Sequence, residues 1–422
     1  MKLETPPGTR DFLPHEMVKR QEVIDRIRAT FESYGFSPAE TPAFEYAELL
    51  EGKYGEDEKL IYKFEDLGGR KLALRYDLTV PLVRVVSMNQ LTMPYKRYCI
   101  ARVWRFDRPQ KGRFREFWQC DVDVVGVSEM VADAEVIACA IDALEAIGLK
   151  GFKFRVNNRK LLDEILKKIG IGKEKEIEVF RALDKLDKIG EKGVRKELKS
   201  FPKEQVDEIM EAIKIKDLDG VEKLVGSGDG AKETKRLFSL VEDYGKGVEL
   251  DLSMVRGLDY YTGPIFEVAL GDYGSIAGGG RYDRIIGKIS EKQDMPAVGI
   301  SLGIERIIEV MREKGLLSQR KSAAKIYVLR ADSESEGETL RIMQKLRREG
   351  FSVAGDLLGR NFSGQMKYAN KLGVEKVIIV GKKDLADGNV TIKDMGSGEQ
   401  KAVKKDNVLE TLKWNVICMK IT

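Results

Sequence analysis

The chain has 422 residues, which is too long for a single hydrophobic core, so two or three domains are expected. Its 73 Lys and Arg residues against 69 Asp and Glu leave a net charge of +4, which permits a nucleic-acid partner without requiring one. The sequence shows no signal-peptide pattern, no bilayer-length apolar run and only scattered cysteines, which indicates a reduced, cytoplasmic protein. The single histidine, His15, argues against histidine-based zinc sites and against serine or cysteine hydrolase triads.

The first predicted elements are a helix and an extended segment. Apolar residues at helical spacing predict a helix from about Glu16 to Tyr34, which Gly35 ends. Pro38 and Pro42 then keep the following segment extended. A long helix that runs into a proline-bearing strand can form a dimer interface, and an ordinary edge strand explains the pattern equally well.

The segment RYDLTVPLVRVV follows a predicted hairpin that turns at Gly68-Gly69, and it places Asp77 and Thr79 where a strand turns into a helix. Pro81 suits the first turn of that helix, because an N–H would be unpaired there in any case. Asp77 can cap the helix or receive the amine of a ligand, and both roles are compatible at the rim of a pocket.

A second predicted hairpin carries a cluster of basic residues. Tyr98–Phe106 and Phe117–Val125 are rich in β-branched and aromatic residues and predict two strands, joined by a loop over Asp107–Glu116. The basic residues around its tip are Arg105, Arg108, Lys111, Arg113 and Arg115. Guanidinium groups bind phosphate oxygens through a rigid fork of donors, so the tip suits a polyanion. A solvated hairpin tip is the alternative interpretation.

Helices dominate the middle of the chain. Ser128 is expected to cap an amphipathic helix that runs to Ile147, and a short strand is expected over Gly151–Asn157. Between residues 161 and 245, Lys, Glu and Leu recur at helical spacing, which predicts a helical insertion between two halves of a β-rich domain. The charge of this insertion is either a solvated face or a contact with RNA or a partner.

Glycines mark the second half of the β-rich domain. Gly278, Gly279 and Gly280 either let the backbone approach a ligand closely or form a tight bend. No GxGxxG opens a helix and no GxxxxGK[ST] occurs, so neither a dinucleotide site of that type nor a P-loop is supported. The segment PAVGISLGIERIIEV predicts a strand that leads into a helix, with Glu305 and Arg306 near the start of the helix.

Beyond a linker at Lys321–Ala324, predicted strands alternate with predicted helices. This alternation indicates a small, mostly parallel α/β domain, with an edge strand at Val390–Lys393 and a last helix at Asn407–Lys413. The predicted division is 1–160 and 246–320 for the two parts of the β-rich domain, 161–245 for the helical insertion and 325–422 for the last domain.

Four separated segments each place arginine or a small polar cluster at a strand end: RYDLT, VWRFDRPQKGRFREFWQCDVD, VRGLDYYTG and LGIERI. Together they describe a pocket with cations for phosphates, carboxylates for an amine and tyrosines for a flat side chain. This combination suits the activation of an amino acid by ATP.

These segments resemble the histidyl-tRNA synthetases, a family of class II aminoacyl-tRNA synthetases, over nearly the whole chain. The first helix with the Pro42 segment resembles motif 1, WRFDRPQKGRFREF resembles motif 2 and VGISLGIERI resembles motif 3. RGLDYYTGPIFE and AGGGRYD are similar to the two signatures that set the histidine family apart. The resemblance implies an α+β fold: a six-stranded antiparallel catalytic sheet flanked by helices, a helical insertion, and a C-terminal α/β anticodon-binding domain.

The resemblance also implies roles for individual residues. Arg105 would hold the ATP α-phosphate and the amino acid carboxylate, and Arg113 and Arg306 would hold the outer phosphates. Arg256 would approach the α-phosphate, where related synthetases use a metal. Arg105 and Arg256 are the implied catalytic pair, and no metal held by protein side chains is implied.

The implied histidine site combines groups for the α-amine with groups for the imidazole. Asp77 and Thr79, with Gln119, are implied for the amine, and Asp123 and Tyr261 for the imidazole, with Tyr260 nearby. Tyr282 is implied at the pocket wall, and Leu78 also belongs to the implied histidine site. Together with Arg105 and Arg256 they complete the site. Family members often carry Glu at the positions of Asp77 and Asp123, so these two side chains reach one methylene less here.

For RNA, the resemblance implies two contact regions. Arg108, Gln110 and Lys111 would meet the acceptor end of the tRNA, whose extra 5′ guanylate suits such donors. The C-terminal domain would meet the anticodon loop, with Arg360, Lys367 and Lys371 as candidates and ordinary surface charge as the alternative.

The implied reaction is the activation of L-histidine by ATP with Mg²⁺ and the transfer of histidine to tRNA(His), by a homodimer joined through motif 1. No prosthetic group and no membrane partner are implied. The main alternative is a catalytically inactive, histidine-binding regulatory paralogue of ATP phosphoribosyltransferase. The arginines for ATP chemistry and the C-terminal domain argue against it. RGLDYYTG argues against a class II synthetase for another amino acid, such as glycine or threonine.

Overall fold

The computed structural model describes residues 2–52, 55–109, 112–255, 261–290 and 293–412. The described part of the chain forms two compact units. The first comprises residues up to 10 and 23–316, and the second comprises residues 11–22 and those from 317 onwards. Among the described helices, none combines the length and the apolar character needed to cross a membrane.

Among the described residues as far as 316, the elements are eleven strands and twelve α-helices. The strands are β1 (Ser37–Pro38), β2 (Phe44–Tyr46), β3 (Lys63–Glu65), β4 (Lys71–Leu74), β5 (Tyr95–Trp104), β6 (Glu116–Val125), β7 (Lys153–Asn158), β8 (Glu249–Leu250), β9 (Pro264–Ala269), β10 (Ser275–Arg281) and β11 (Ala297–Gly303). The helices are α1 (Pro14–Ser33), α2 (Ala47–Leu50), α3 (Thr79–Met88), α4 (Met130–Ala146), α5 (Arg159–Lys168), α6 (Lys173–Leu183), α7 (Leu186–Glu197), α8 (Lys203–Ala212), α9 (Leu218–Val225), α10 (Asp229–Asp243), α11 (Ile285–Ser290) and α12 (Ile304–Glu313).

The main sheet has eight strands in the order β1-β5-β6-β11-β10-β9-β7-β8. Its six inner strands are antiparallel to one another, as the resemblance implies. Two-residue strands pair in parallel at the edges, β1 with β5 and β8 with β7. A separate three-stranded sheet has the order β2-β4-β3 and contains the predicted hairpin at Gly68-Gly69.

Helix α4 covers one face of the main sheet. Val124 of β6 pairs with Val298 of β11, which pairs with Arg281 of β10, so all three lie on the same face. Arg281 donates to the Asp133 carboxylate of α4, and both side chains are fully buried. The prediction that Ser128 caps this helix is wrong, because α4 begins at Met130 and Glu129 occupies the N-cap without a side-chain hydrogen bond.

Helices α5 to α10 follow one another between β7 and β8, where the sequence predicts a helical insertion. Asn158 caps the first of them by accepting from the Lys160 amide at 2.9 Å. These helices share a hydrophobic core to which Val179, Phe180 and Ile209 belong. Leu250, Leu252 and Val255, which follow the last of these helices, belong to the same core. The boundaries of the insertion therefore stay a prediction.

The second unit contains strands β12 (Ile326–Arg330), β13 (Val353–Gly355), β14 (Lys376–Val380), β15 (Asn389–Asp394) and β16 (Gln400–Lys404). Its helices include α13 (Glu336–Arg348), α14 (Phe362–Leu372) and α15 (Lys382–Ala386). The sheet order is β13-β12-β14-β15-β16, parallel among the first three and antiparallel beyond them. The prediction of an edge strand at Val390–Lys393 is wrong, because β15 pairs on both sides and β16 forms the edge.

Alternation along β12 builds a core on both faces of this second sheet. Ile326 and Val328 pack with α13 residues such as Leu346. Tyr327 and Leu329 point to the other face and pack with Ala369 of α14. Near-continuous apolar strands of this kind are typical of parallel strands buried on both faces.

Candidate active site

A cavity of about 850 Å³ opens over the face of the main sheet that α4 does not cover. It brings together many of the side chains that the sequence predicts for one site. Those lining it are Asp77, Thr79, Arg105, Arg113, Gln119, Asp123, Tyr261, Tyr282 and Arg306. They come from five separate segments of the chain, so the fold, and not local sequence, assembles the site.

Glycines form part of the cavity floor. Asp123 of β6 lies opposite Gly299 of β11, and a Cβ atom at Gly299 would lie 2.1 Å from Asp123 Oδ1. A Cβ atom at Gly279 would lie 2.1 Å from the Gly299 carbonyl oxygen. Gly278–Gly280 lie inside β10, so the interpretation as a tight bend is wrong. Their close approach to a ligand stays a prediction.

A buried group of polar residues closes one end of the cavity. Arg97 of β5 lies opposite Asp123 and its Nη2 is 2.9 Å from Asp123 Oδ2. The same nitrogen donates to the Leu78 carbonyl oxygen at 2.8 Å. The Tyr282 hydroxyl donates to Asp123 Oδ1. Burial raises the pKa of Asp123, while Arg97 and Tyr282 oppose that rise.

Asp121 is a second buried carboxyl that the sequence interpretation missed. It lines the cavity two residues before Asp123 and shares its face of β6. Burial, and then the neighbouring Asp123, raise the pKa of Asp121 to about 8, against a smaller lowering by a hydrogen bond from Ser301. Ser301 accepts in turn from Gln119 Nε2 at 2.8 Å. The alternation of Gln119, Asp121 and Asp123 along a strand was the signal that could have found it.

Asp77 caps a helix at the edge of the cavity, and its role toward a ligand amine stays a prediction. Its Oδ1 accepts from the backbone amides of Thr79 and Val80, both at 3.0 Å, and so caps α3. The same carboxyl lines the cavity. The Leu78 side chain is fully buried in a core cluster with Cys99, away from the cavity.

The predicted phosphate-binding arginines line the cavity next to aromatic and acidic neighbours. Arg105 donates from Nε to the Tyr76 carbonyl oxygen at 3.0 Å, and its guanidinium lies 4.2 Å from the Tyr76 ring centroid. Arg113 lies 3.7 Å from the Asp107 carboxylate in a half-exposed position. Arg306 donates to the Ser275 carbonyl oxygen. Each of the three arginines therefore has a protein partner beside the cavity.

Further lining residues come from a part of the chain with no sequence signal for a site. Asp184, Asp187 and Lys188, around the junction of α6 and α7, border the cavity. Their pattern is that of an ordinary charged helix end, so only the fold could bring them here.

Of the remaining predicted site residues, the structure describes only Arg108. Arg108 is exposed and lies outside the cavity lining. Arg256, Tyr260, Gln110 and Lys111 lie outside the residues that the structure describes. Their assigned roles therefore stay predictions.

Comparison with known proteins gives a consistent result. The family model "Histidyl-tRNA synthetase" matches residues 8–307, and the model "Anticodon binding domain" matches residues 325–415. Curated relatives named histidine–tRNA ligase include that of Aeropyrum pernix, 44% identical over 94% of this chain and 95% of its own. That of Pyrococcus furiosus is 41% identical over 97% and 99%.

Solved structures show the same similarity. The histidyl-tRNA synthetase of Nostoc sp. PCC 7120 matches with a TM-score of 0.89 and 32% identity, over 98% of this chain and all of that chain. A Bacillus halodurans structure described as an ATP phosphoribosyltransferase regulatory subunit/histidyl-tRNA synthetase matches with a TM-score of 0.76 and 25% identity, over 90% of this chain and 99% of that chain.

The antiparallel sheet, its arginine-lined cavity and the separate α/β unit define an aminoacyl-tRNA synthetase, and hence an enzyme. Within that class, the chain belongs to the histidyl-tRNA synthetase family, whose model covers most of its length. The predicted family and fold class are thereby confirmed.

Proposed function

We propose that this chain is a histidine–tRNA ligase, which forms histidyl-adenylate from L-histidine and ATP and then transfers histidine to the 3′ end of tRNA(His). The observation that carries the proposal is the convergence of Arg105, Arg113 and Arg306 with the Asp123–Tyr282 pair around one cavity. Family membership supplies the reaction class, and the cavity supplies groups for both halves of the adenylate.

The arginines suit the first step of the reaction. When the histidine carboxylate attacks the α-phosphorus, negative charge builds on the non-bridging oxygens, and fixed cations stabilise that charge as it develops. We assign this role to Arg105 together with Arg256, and the outer phosphates to Arg113 and Arg306. Loss of one preorganised donor typically costs on the order of 10²–10³ in rate.

Mg²⁺ would enter with ATP as part of the substrate complex. The described residues contain no cluster of three His, Cys, Asp or Glu side chains able to hold a metal ion by themselves. Mg²⁺ is commonly bound through substrate phosphates and one or two carboxylates, so this set of residues is compatible with Mg-ATP as the substrate.

Histidine recognition follows from the polar end of the cavity. An imidazole offers two polar nitrogens, and Asp123 with Tyr282 and Tyr261 supplies polar partners beside it. Sites that pair such groups reject analogues lacking them by roughly 10⁴ or more. The α-amine would bind near Asp77, Thr79 and Gln119, which line the same cavity.

Dimerisation, tRNA contacts, location and domain limits are further parts of the proposal. Aromatic side chains on β2 and β3 support an interface next to motif 1: Phe44, Tyr46 and Phe64 are 50%, 53% and 43% exposed.

We keep Arg108, Gln110 and Lys111 as the acceptor-end contacts. Buried cysteine thiols favour the cytoplasm. The limits 161–245 and 325–422 are proposed for the insertion and the anticodon-binding domain.

The test is histidine-dependent exchange of label between pyrophosphate and ATP, repeated with the other amino acids, followed by charging of tRNA(His). We expect exchange with histidine alone and near-complete loss of it in Arg105→Met. Arg84→Met, which breaks an ion pair with Glu45 outside the cavity, is the control and should retain exchange. Histidine binding without exchange would refute a ligase and favour the regulatory alternative.

That alternative has less support. The Bacillus halodurans structure carries both descriptions at 25% identity, whereas the relatives at 41–44% identity are named as ligases alone. In addition, Arg105, Arg113 and Arg306 all line one cavity, which a protein that only binds histidine would not need.

A further inference from the structure

An N-terminal arm, Pro6–Arg10, lies against the hairpin loop that carries Arg113. The arm is folded by its own turn, in which the Thr9 amide donates to the Pro6 carbonyl oxygen at 3.0 Å. The Arg115 amide then donates to the Gly8 carbonyl oxygen at 2.8 Å. Gly8 has a φ of +82°, and a Cβ atom there would lie 2.7 Å from Arg115 Cγ. The arm therefore contacts the loop closely through a backbone shape that favours glycine.

Arg10, at the end of the arm, links that hairpin to helix α12. Its Nη2 is 2.8 Å from Glu305 Oε2, and its guanidinium lies 4.1 Å from the Phe114 ring centroid. The other Glu305 oxygen accepts from the Trp118 amide of β6 at 3.2 Å. Glu305 is only 5% exposed, so its charge needs compensation inside the protein.

These contacts meet at the residues that we assign to the ATP phosphates. Arg113 lies two residues before Arg115, and Arg306 directly follows Glu305. The two segments approach each other, because a Cβ atom at Gly112 would lie 3.5 Å from Arg306 Cγ. Glu305 and Phe114, both in contact with Arg10, line the cavity.

We propose that the N-terminal arm positions the ATP-binding arginines, with Arg10 as the positioning residue. Arg10 neutralises Glu305 beside the triphosphate site and, with Gly8, fixes the hairpin that carries Arg113. Without Arg10, the Glu305 carboxylate at the cavity wall would repel the phosphates. The hairpin would also lose the contact between Arg10 and Phe114. The inference rests on the proposed use of ATP.

The test compares ATP and histidine dependence in the full-length chain. Arg10→Met should raise the KM for ATP in pyrophosphate exchange by about tenfold or more, since a charge-assisted contact of this kind is lost. The KM for histidine should change less than about twofold, because the arm contacts neither Asp123 nor Tyr282. Arg10→Met combined with Glu305→Gln should recover part of the ATP affinity, since the repelling charge is then gone.

Arg84→Met is the matched control. The Arg84–Glu45 pair is 2.7 Å long with side chains 26% and 5% exposed, against 2.8 Å, 31% and 5% for Arg10–Glu305. An ATP KM within twofold of the parent in Arg10→Met, or equal changes in the KM for ATP and for histidine, would overturn the inference.

Direct ATP binding, measured through the fluorescence of Trp104 and Trp118, distinguishes failure of this inference from failure of the proposed function. A parent chain that binds ATP but gives no histidine-dependent exchange refutes the ligase, and the effect of Arg10→Met on ATP affinity still decides the role of the arm. If Arg10→Met does not fold, Gly8→Ala is the second variant, with the same expected rise for ATP alone. Unchanged ATP affinity in Gly8→Ala would then overturn the inference.

Discussion

Asp121 and Asp123 lie two residues apart on the cavity face of β6, yet their surroundings differ. Asp123 has Arg97 at 2.9 Å and the Tyr282 hydroxyl, which favour its charged form. Asp121 is equally buried, and its Oδ1 has no hydrogen-bond partner among the described residues. Burial, and then the neighbouring charge of Asp123, therefore raise the pKa of Asp121 to about 8.

This difference predicts a pH dependence of stability. The folded chain holds the Asp121 proton more tightly than the unfolded chain, whose ordinary pKa is 3.8. The stability that this provides is fully present below that value and is lost as the pH rises through about 8. Asp121→Asn cannot ionise, so its free energy of unfolding should fall less than that of the parent between pH 5 and pH 9.

Urea unfolding at those two pH values is the measurement. Asp394→Asn is the control, because backbone and Lys376 hydrogen bonds lower the pKa of Asp394 to about 2. Asp394 is therefore ionised over the whole range, and the free energy of unfolding of this variant should fall as much as that of the parent. The same fall in Asp121→Asn as in the parent would show that Asp121 is already ionised at pH 5.

Individual residues differ in how far the sequence could reveal them. Arg105, Arg113 and Arg306 lie in contiguous strings that resemble family motifs, so their place in one site could be predicted. Arg97 could not, because its partner is set by the register of two strands. The Arg10–Glu305 pair joins residues 295 positions apart, and no local pattern marks it.

At the scale of elements, strand β11 approaches its neighbours through glycine. Gly299→Ala would place a Cβ atom 2.1 Å from Asp123 Oδ1 and 2.8 Å from the Val122 carbonyl oxygen, so Asp123 must move. We expect the KM for histidine to rise by about tenfold or more, since the polar end of the cavity loses its geometry. The KM for ATP should change much less.

Steady-state exchange with each substrate varied in turn measures this split. Gly247→Ala is the control, because a Cβ atom there meets nothing within 4 Å. A loss of ATP affinity equal to that of histidine would mean that the substitution disturbs the sheet as a whole.

The sequence predicted elements where apolar periodicity was strong. The β5–β6 hairpin, α12 and the alternation of β12, α13 and β14 agree with the structure within a few residues. Strand β16 was missed because QKAVK is mostly polar and exposed, as expected for an edge. Helix α15 was missed because its five residues are too few to show a period.

At the scale of the whole molecule, each unit has a hydrophobic core of its own. Ile378 is fully buried in the second unit, and Ile137 is fully buried in the first. Ile378→Ala should cost about 2–5 kcal/mol of stability in the second unit. At 25 °C histidine-dependent exchange should be unchanged, because the cavity lies in the first unit, whereas charging of tRNA(His) should decrease if the second unit binds the anticodon.

Thermal unfolding with exchange and charging assays on the same samples tests this separation. Ile137→Ala, a loss of equal volume in the first unit, should instead lower exchange and charging together at raised temperature. If Ile378→Ala loses exchange activity at the temperature at which its second unit unfolds, the two cores are not independent.

The contact between Arg10 and Glu305 also has a consequence for biosynthesis. The arm leaves the ribosome well before Glu305, which is polymerised 295 residues after Arg10. Domains commonly fold as the chain emerges, beginning with the N-terminal part. The nascent arm can therefore meet its partner only after most of the first unit has been synthesised, and a translation product truncated before α12 would lack both Glu305 and Arg306 of the proposed ATP site.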